Sequence, residues 1–336
     1  MKRIAIIAHD KVLDFSPPEP SPWSFFLKRF LDYGYEIVPL DSEPEFLINL
    51  NHKIGYQGKF LHKVKHSKRV LIVLEPSSVN PIGHSRLVQR RYGQVFVPSH
   101  MWVKRDGTRV FQWPQTNLSD IEVNQEWSTK IDKIVMIARN NFSVGRKEQY
   151  SLRRKVVAEL SLDLDVFGQG WEDNAFQNVV KVLKSILLHL SSFAPLKKIK
   201  IQLHQNYPYG RLKGSTLDKF ETNSRYRYSL VIENSSDYVS EKLIDAIISG
   251  TIPIYCGPNL SAFGFRGNLA LEVDPNPIEI ADRLSSLRES KEMQVEILQA
   301  GREFLKSIEY CEMVNRFALR NLATNIIEYF NSIDLN

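Results

Sequence analysis

Two cysteines, Cys256 and Cys311, in 336 residues cannot build a disulfide framework, so stability must come from packing and the expected setting is a reducing compartment. Long apolar runs are missing too. The opening MKRIAIIAHD joins a basic start to an apolar stretch that stops at His9, too short for a signal-peptide core. No later run is long and uninterrupted enough to cross a bilayer. The chain ends NSIDLN, without the polybasic amphipathic tail that would make a strong membrane anchor. The expectation is a soluble, cytoplasmic protein, at most weakly peripheral at an inner membrane. Zinc-type Cys and His spacing, strongly basic runs and nucleic-acid fold signatures are absent, and RYRY at Arg225 to Tyr228 falls in a strand context. No nucleic-acid partner is expected.

What the chain does contain is ordinary globular material, 43% apolar and 24% charged, with enough length for two substantial cores. Its formal net charge of +6 favours anionic partners, among them nucleic acid, anionic lipid and nucleotide diphosphates.

The most informative stretch is Tyr226 to Pro258, YRYSLVIENSSDYVSEKLIDAIISGTIPIYCGP. Tyr228 to Ile232 is β-branched and aromatic and reads as a buried strand. Val239 to Ser249 changes period: Val239, Leu243, Ala246 and Ile247 fall at helical spacing and leave Glu241, Lys242 and Asp245 off the buried stripe. Gly250 closes that helix, and Ile252 to Tyr255 is a second strand. A strand, polar turn, helix and strand make a βαβ unit, whose ligand site lies beyond the carboxyl ends of the strands.

One residue of the turn is out of place. A helix start carries partial positive charge, so Asp237 and Glu241 belong there, whereas Lys242 costs about 0.3–1 kcal/mol when exposed. A docked anion reverses that cost, and backbone amides, a helix dipole and a lysine together suit a phosphate. Glu241 is then placed to accept from sugar hydroxyls, and Asn234 offers both a donor and an acceptor. For an arbitrary helix the same charges would be a solvated first turn.

The string ENSSDYVSEKLIDAIISGTIPIYCG resembles the signature of the α-1,3/α-1,4-fucosyltransferases of glycosyltransferase family 10, an ENS, a DYVTEK and a G[TV][VI]P[VI]Y. Ser240 stands where that family usually has threonine, and Cys256 precedes the closing glycine. Animal members carry an amino-terminal membrane anchor, so the likeness is to bacterial members.

In the amino-terminal half, Lys2 to Ala8, Glu36 to Leu40, Arg69 to Leu74 and Val95 to Pro98 read as strands and Trp23 to Tyr33 as an amphipathic helix. The proline-rich SPPEPSPW, Ser16 to Trp23, is a stiff loop. MWVKRDGTRVFQWP looks like a hairpin turning at Asp106 and Gly107. Glu75, in LEPSSVNP, ends a buried strand ahead of a proline, where acid-base groups of α/β domains sit, although a loop acid capping the next turn has the same look. The resemblance implies that this acid is the general base; His9, Asp10 and His84 are the substitutes. Trp102, Trp113 and Trp127 offer sugar-stacking faces, but burial is the commoner fate of tryptophan.

A second α/β domain opens at Lys133 to Ile137, followed by a turn at Asn140, Asn141 and Gly145 and a helix from Glu148 to Leu160. Arg153 and Arg154 on that helix read as surface charges. The segment resembles the family's SN, variable residues, R, helix and DVYG-type strand, here Asp165 to Gly168. Arg139 replaces the serine, Asn140 keeps the asparagine, and Arg146 falls where the phosphate-binding arginine would. Gly210 to Gly214, GRLKG, is either a mobile loop over the donor or a solvated connection. Two long amphipathic helices, near Pro277 to Ala300 and Phe304 to Phe330, close the chain.

The expected fold class is therefore α/β, a GT-B arrangement of two Rossmann-like domains facing a central cleft. Residues 1–128 would hold the acceptor, 129–310 the donor, and 311–336 would pack back on the first domain. The resemblance implies an inverting fucosyltransferase that moves L-fucose from GDP-fucose to a glycan hydroxyl in α-1,3 or α-1,4 linkage, on a GlcNAc or glucose residue of a lipopolysaccharide or other surface glycan. Glu75 would be the base, with Asn140, Arg146, Glu233, Asn234, Tyr238, Glu241 and Lys242 on the donor. No metal or other cofactor is expected, since no DxD or His/Cys cluster lies on a matching loop. Glu233 and Glu241 also satisfy the EX7E spacing of retaining GT-B enzymes, so the alternatives are such an enzyme with another nucleotide sugar, or a non-catalytic nucleotide-sugar-binding protein.

Overall fold

A computed structural model describes residues 2–8, 11–12, 23–52, 61–117, 126–192, 196, 207–208 and 210–334. Its contacts divide the chain into two units, Met1–Gln115 with Leu188–Pro195 and Glu312–Asn336, and Thr116–Leu187 with Leu196–Cys311.

The first unit is built on β1 (Lys2–Ala8), β2 (Lys11–Val12), α1 (Trp23–Asp32), β3 (Tyr35–Ile37), β4 (Phe46–Leu50), β5 (Arg69–Ile72), α2 (Arg86–Gln89), β6 (Gln94–Val97) and β7 (Arg109–Val110). The strands lie in the order β2-β1-β4-β5-β6-β7, with β3 also on β1. All pairings are parallel except β1 with β2. Phe46–Leu50 is buried at every position, as a strand covered on both faces must be. The hairpin expected around Asp106 and Gly107 does not form: Arg109–Val110 pairs in parallel with β6, Phe96 opposite Arg109. Gly107 does adopt the left-handed turn conformation, φ 77°, but Met101 and Trp102 lie in a short 3-10 turn and not in an opposing strand.

The second unit contains β8 (Ile131–Ile137), α3 (Tyr150–Glu159), β9 (Leu164–Phe167), α4 (Ala175–Ser191, whose last residues fall in the first unit), α5 (Lys219–Ser224), β10 (Tyr226–Ile232), α6 (Lys242–Ile248), β11 (Ile252–Cys256), β12 (Leu271–Glu272), α7 (Pro277–Glu289), α8 (Lys291–Phe304) and α9 (Ile308–Met313). Its sheet is wholly parallel, in the order β12-β11-β10-β8-β9. Counted within the unit this is the doubly wound order 2-1-3-4-5, which reverses direction between β8 and β10. One sheet face carries Ile134, Met136, Leu230, Ile232 and Ile254 against Val156 and Val157 of α3 and Ile280, Leu284 and Leu287 of α7. Leu243, Ile244 and Ala246 of α6 are fully buried. Buried Lys130 donates to the carbonyls of Ser224 and Ser249, closing the carboxyl ends of α5 and α6.

GRLKG is tied to the sheet, with Gly210 and Lys213 exposed. Its backbone runs beside β9, with Val166 N–H on Arg211 O at 2.8 Å and Lys213 N–H on Val166 O at 2.9 Å. The Arg211 guanidinium meanwhile donates to the carbonyls of Val157, Leu160 and Leu162. Each long terminal helix proves to be two. Ser290 is extended and caps α8 through Met293 N–H, and α10 (Asn315–Asp334) begins after a second break. Helix α10 belongs to the first unit, where Leu319, Leu322, Ala323, Ile326, Ile327 and Phe330 join the core of β1, β4 and β5. Arg29 of α1 donates to Thr324 at 3.0 Å, and Phe330 stacks at 4.4 Å on Phe46. No helix of the described residues is long and apolar enough to cross a membrane.

Candidate functional site

The direction change between β8 and β10 brings two loops together, 138–149 after β8 and 233–241 after β10. They are bonded along their length: Gln149 N–H to Asn234 O at 3.2 Å, Ser236 N–H to Lys147 O at 2.9 Å, and Lys147 Nζ to Asp237 Oδ2 at 2.8 Å. Glu148 accepts from Ser151 N–H at 3.0 Å and so fixes the start of α3.

Arg153 and Arg154 are not surface charges. Arg153 is 1% exposed, its Nε donating to Ile232 O at 3.0 Å and its Nη2 to Asn234 Oδ1 at 2.8 Å. Arg154 reaches Asn141 O and Asn140 Oδ1 and lies 3.8 Å over the Phe142 ring. Burial lowers both guanidinium values against the pull of nearby Glu148, and for Arg153 of Glu233 and Glu241 as well. The signal was present in the sequence. Arg153 stands three and four residues before buried Val156 and Val157, on the same stripe.

Helix α6 starts at Lys242, three residues later than expected. Glu233, at the end of β10 and fully buried, accepts Ser240 N–H on Oε1 at 2.8 Å, which keeps Val239 to Glu241 out of the helix. Its Oε2 has no hydrogen-bond partner among the described residues. Burial raises the Glu233 carboxyl more than Lys242 and the Ser240 bonds lower it. Lys242 Nζ bonds Ser240 Oγ at 2.9 Å and lies 3.7 Å from Glu241. Burial pushes the Glu241 carboxyl up, but Lys242 and Lys219 outweigh it and hold Glu241 below the usual carboxylate range.

Asp245 is buried, contrary to its expected place off the apolar stripe, with Lys219 Nζ at 2.6 Å and Thr116 Oγ1 at 3.4 Å. Burial raises it to about 6 against the pull of Lys219. A cavity of 150 Å³ opens here, lined by Ile137, Ala138, Ile232, Glu241, Lys242 and Asp245 among others. Of the expected donor residues, Glu241 and Lys242 line this cavity, while Asn234 and buried Tyr238 lie in the same turn. Arg146 is exposed on the neighbouring loop. Asn140 is committed locally, its Nδ2 donating to Gly170 O at 2.9 Å. Lys219, Asp245 and Arg153 are the site residues that sequence reasoning missed.

Glu75 belongs to the first unit, just past β5 and half-buried. Its backbone is clamped at both polar atoms. Asn51 Oδ1 accepts from Leu74 N–H at 2.6 Å and Glu75 N–H at 3.1 Å, and His84 Nε2 donates to Glu75 O at 2.8 Å. Asn51 is 1% exposed and left-handed, φ 56°, a conformation non-glycine residues adopt at a cost of about 1–3 kcal/mol. His84 therefore supports Glu75. His9 and Asp10 lie outside the described residues, as does most of the proline-rich loop. Trp102 is buried, while Trp113 and Trp127 pack half-buried against the cores of their own units.

Behind this clamp, Asn49 Nδ2 donates to Tyr92 Oη at 2.8 Å, and Tyr92 Oη meets His52 Nδ1 at 2.5 Å. With Asn49 donating to its oxygen, the phenol keeps its own proton to offer to His52 Nδ1, an arrangement that fits a neutral ring. Burial and then Arg91 push His52 from 6.5 down to about 4. Because the folded value is the lower one, the stability linked to this site is present above pH 6.5 and is lost as pH falls toward 4, by roughly 3 kcal/mol in all. Urea midpoints across that window should fall with pH in the wild type. They should fall less steeply in His52→Gln; equal slopes would rule the site out as the source.

In class, the structure is the GT-B glycosyltransferase fold, two parallel-sheet α/β units. No family model matches the chain. Among curated proteins it is 32% identical over 77 residues to a fucosyltransferase-like protein of Arabidopsis thaliana, a match that spans 22% of this chain and 15% of that protein's length. Among solved structures it is similar to an α1,3-fucosyltransferase, 15% identical with a TM-score of 0.52 over 100% of this chain and 90% of the other. It is also similar to Anabaena HepE solved with UDP and glucose, 11% identical with a TM-score of 0.53 over 99% and 100% of the two chains. At these identities the structural likeness concerns the fold.

Proposed function

We propose that the chain is an inverting fucosyltransferase that transfers L-fucose from GDP-fucose to a glycan hydroxyl in α-1,3 or α-1,4 linkage. The observation that carries this reading is the placement of the SEK segment at the β8/β10 direction change, with Lys242 as the first residue of α6 and Glu241 beside it. A lysine at that end of a helix opposes the dipole, and a diphosphate resolves the conflict by meeting both.

In this reading Lys242 and Arg146 take the charge that grows on the departing GDP, and Glu241, kept ionised, accepts from ribose hydroxyls. Asn234, held by Arg153, and Tyr238 orient the diphosphate and sugar. Glu75 takes the proton of the acceptor hydroxyl on the face opposite the leaving group, the arrangement inversion needs. Among the described residues no group of three His, Cys, Asp or Glu side chains is placed to hold a metal ion. Fixed side-chain cations are proposed to do the electrostatic work. The acceptor is proposed to be a GlcNAc or glucose residue of a lipopolysaccharide or other surface glycan.

Titration calorimetry tests the donor directly. GDP and GDP-fucose should release heat and compete with each other, whereas UDP-glucose should not. Heat only with UDP sugars would move the assignment to another donor class, and no heat with any nucleotide would remove it.

A further inference from the structure

Glu233 follows β10 with no exposed surface, so its carboxylate acts through what it holds. Among the described residues that is one group: Oε1 accepts Ser240 N–H at 2.8 Å, and Oε2 has no hydrogen-bond partner. A buried carboxylate satisfied on one side only is costly to keep, so the placement its single bond secures is the feature to explain. That placement reaches Lys242. Ser240, 1% exposed, accepts on Oγ from Lys242 Nζ at 2.9 Å and from Lys242 N–H at 3.4 Å. Val239, Leu243, Ala246 and Ile247 fall at helical spacing, so a chain released from Glu233 would start its helix near Val239. Side chains two apart in a helix point about 200° away from each other, and Ser240 would then no longer meet Lys242. The grip on the Ser240 amide is what makes this contact between a hydroxyl and an ammonium two residues apart available.

We propose that Glu233 and Ser240 are positioning residues of the donor site: Glu233 fixes the Ser240 backbone, and Ser240 Oγ holds the Lys242 ammonium where it meets a diphosphate oxygen, neither of the two touching the nucleotide. This rests on the reading of Lys242 as the cation that binds the diphosphate. The lysine needs such a tether. Its other close polar neighbour is Glu241, at 3.7 Å, which draws on the same charge. A four-carbon stem left to itself samples many rotamers, and freezing them on a ligand takes entropy from binding. A lysine already held by a fixed hydroxyl gives up less of it when the diphosphate arrives.

Calorimetry with GDP on the full chain, beside melting curves, tests the pair. Ser240→Ala should weaken GDP binding roughly tenfold, the worth of one charge-assisted bond, while Ser240→Thr keeps the hydroxyl and should recover most of that loss. Glu233→Ala should weaken GDP at least as much as Ser240→Ala. Glu233→Gln retains an acceptor oxygen of the same reach and should restore most of the affinity; failure to do so would overturn the grip. The Ser240 variants change little more than one hydroxyl or methyl group and carry the test whatever Glu233→Ala does to folding. A residue that acts through the lysine has nothing to act on once the lysine is gone, so Ser240→Ala in a Lys242→Ala background should cost no further affinity, whereas a merely structural residue gives losses that add. Wild-type GDP affinity in Ser240→Ala, or additive losses in the double variant, would overturn the positioning role and leave Lys242 on the diphosphate. Wild-type GDP affinity in Lys242→Ala itself would instead remove the reading beneath it, and this inference with it.

Discussion

Lys242→Ala is expected to lower kcat/KM for GDP-fucose by roughly 30- to 1,000-fold, the loss of about 2–4 kcal/mol that follows removal of one fixed charge from a developing anion. The native contacts it forfeits are few, a bond to Ser240 Oγ at 2.9 Å and an approach to Glu241 at 3.7 Å. Helix α6 begins at this residue, and alanine propagates a helix at least as well as lysine. Thermal stability should therefore hold while turnover collapses. Lys242→Arg keeps the charge but replaces a compact ammonium with a planar fork, so partial recovery is expected. Arg146→Ala, at an exposed position on the neighbouring loop, should give the smaller loss of the two. Steady-state rates with saturating acceptor, alongside melting curves, separate these outcomes. Wild-type turnover in Lys242→Ala would mean that the diphosphate is held elsewhere.

The same region shows what patterning reveals and what it does not. Strands Tyr226–Ile232 and Ile252–Cys256 were legible because runs of β-branched and aromatic residues bounded by glycine and polar turns leave few alternatives. The start of α6 was not, because the Glu233 carboxylate captures the Ser240 amide, a contact no hydrophobic period records. Charged residues default to the surface in any sequence reading, which concealed Arg153 and Asp245. Arg153 is tolerated inside because Ile232 O and Asn234 Oδ1 take its protons, and Asp245 because Lys219 stands 2.6 Å away. The Asp106-Gly107 turn is real, but local turn chemistry does not select a strand's partner, and β7 found β6 in parallel. Helix α4 marks a related gap. Periodicity shows that a helix has an apolar face without showing which face turns inward: in α4 Asn178, Ser185 and His189 are buried, with Ser185 Oγ accepting Val144 N–H, while Leu183 and Leu187 are exposed.

Glu75→Gln is expected to lower transfer roughly 10²- to 10⁴-fold, the usual contribution of a positioned general base, with GDP-fucose affinity unchanged because the residues proposed to hold the nucleotide belong to the other unit. Glutamine keeps the side chain's length and hydrogen-bonding reach, so the fold should tolerate it. What it removes is the capacity to take a proton. The rise of kcat with pH that an ionising base produces should disappear with it. The buried clamp explains why this carboxylate should be sensitive to position as well as to charge: Asn51 and His84 fix the backbone on either side of its Cα. Asn51→Ala removes two acceptor bonds and should lower kcat while the pH profile keeps its shape, since the carboxylate remains present but is displaced. Such a profile in Asn51→Ala, beside a flat one in Glu75→Gln, distinguishes a base from its support. Undiminished transfer in Glu75→Gln would return the search for the base to His9 and Asp10.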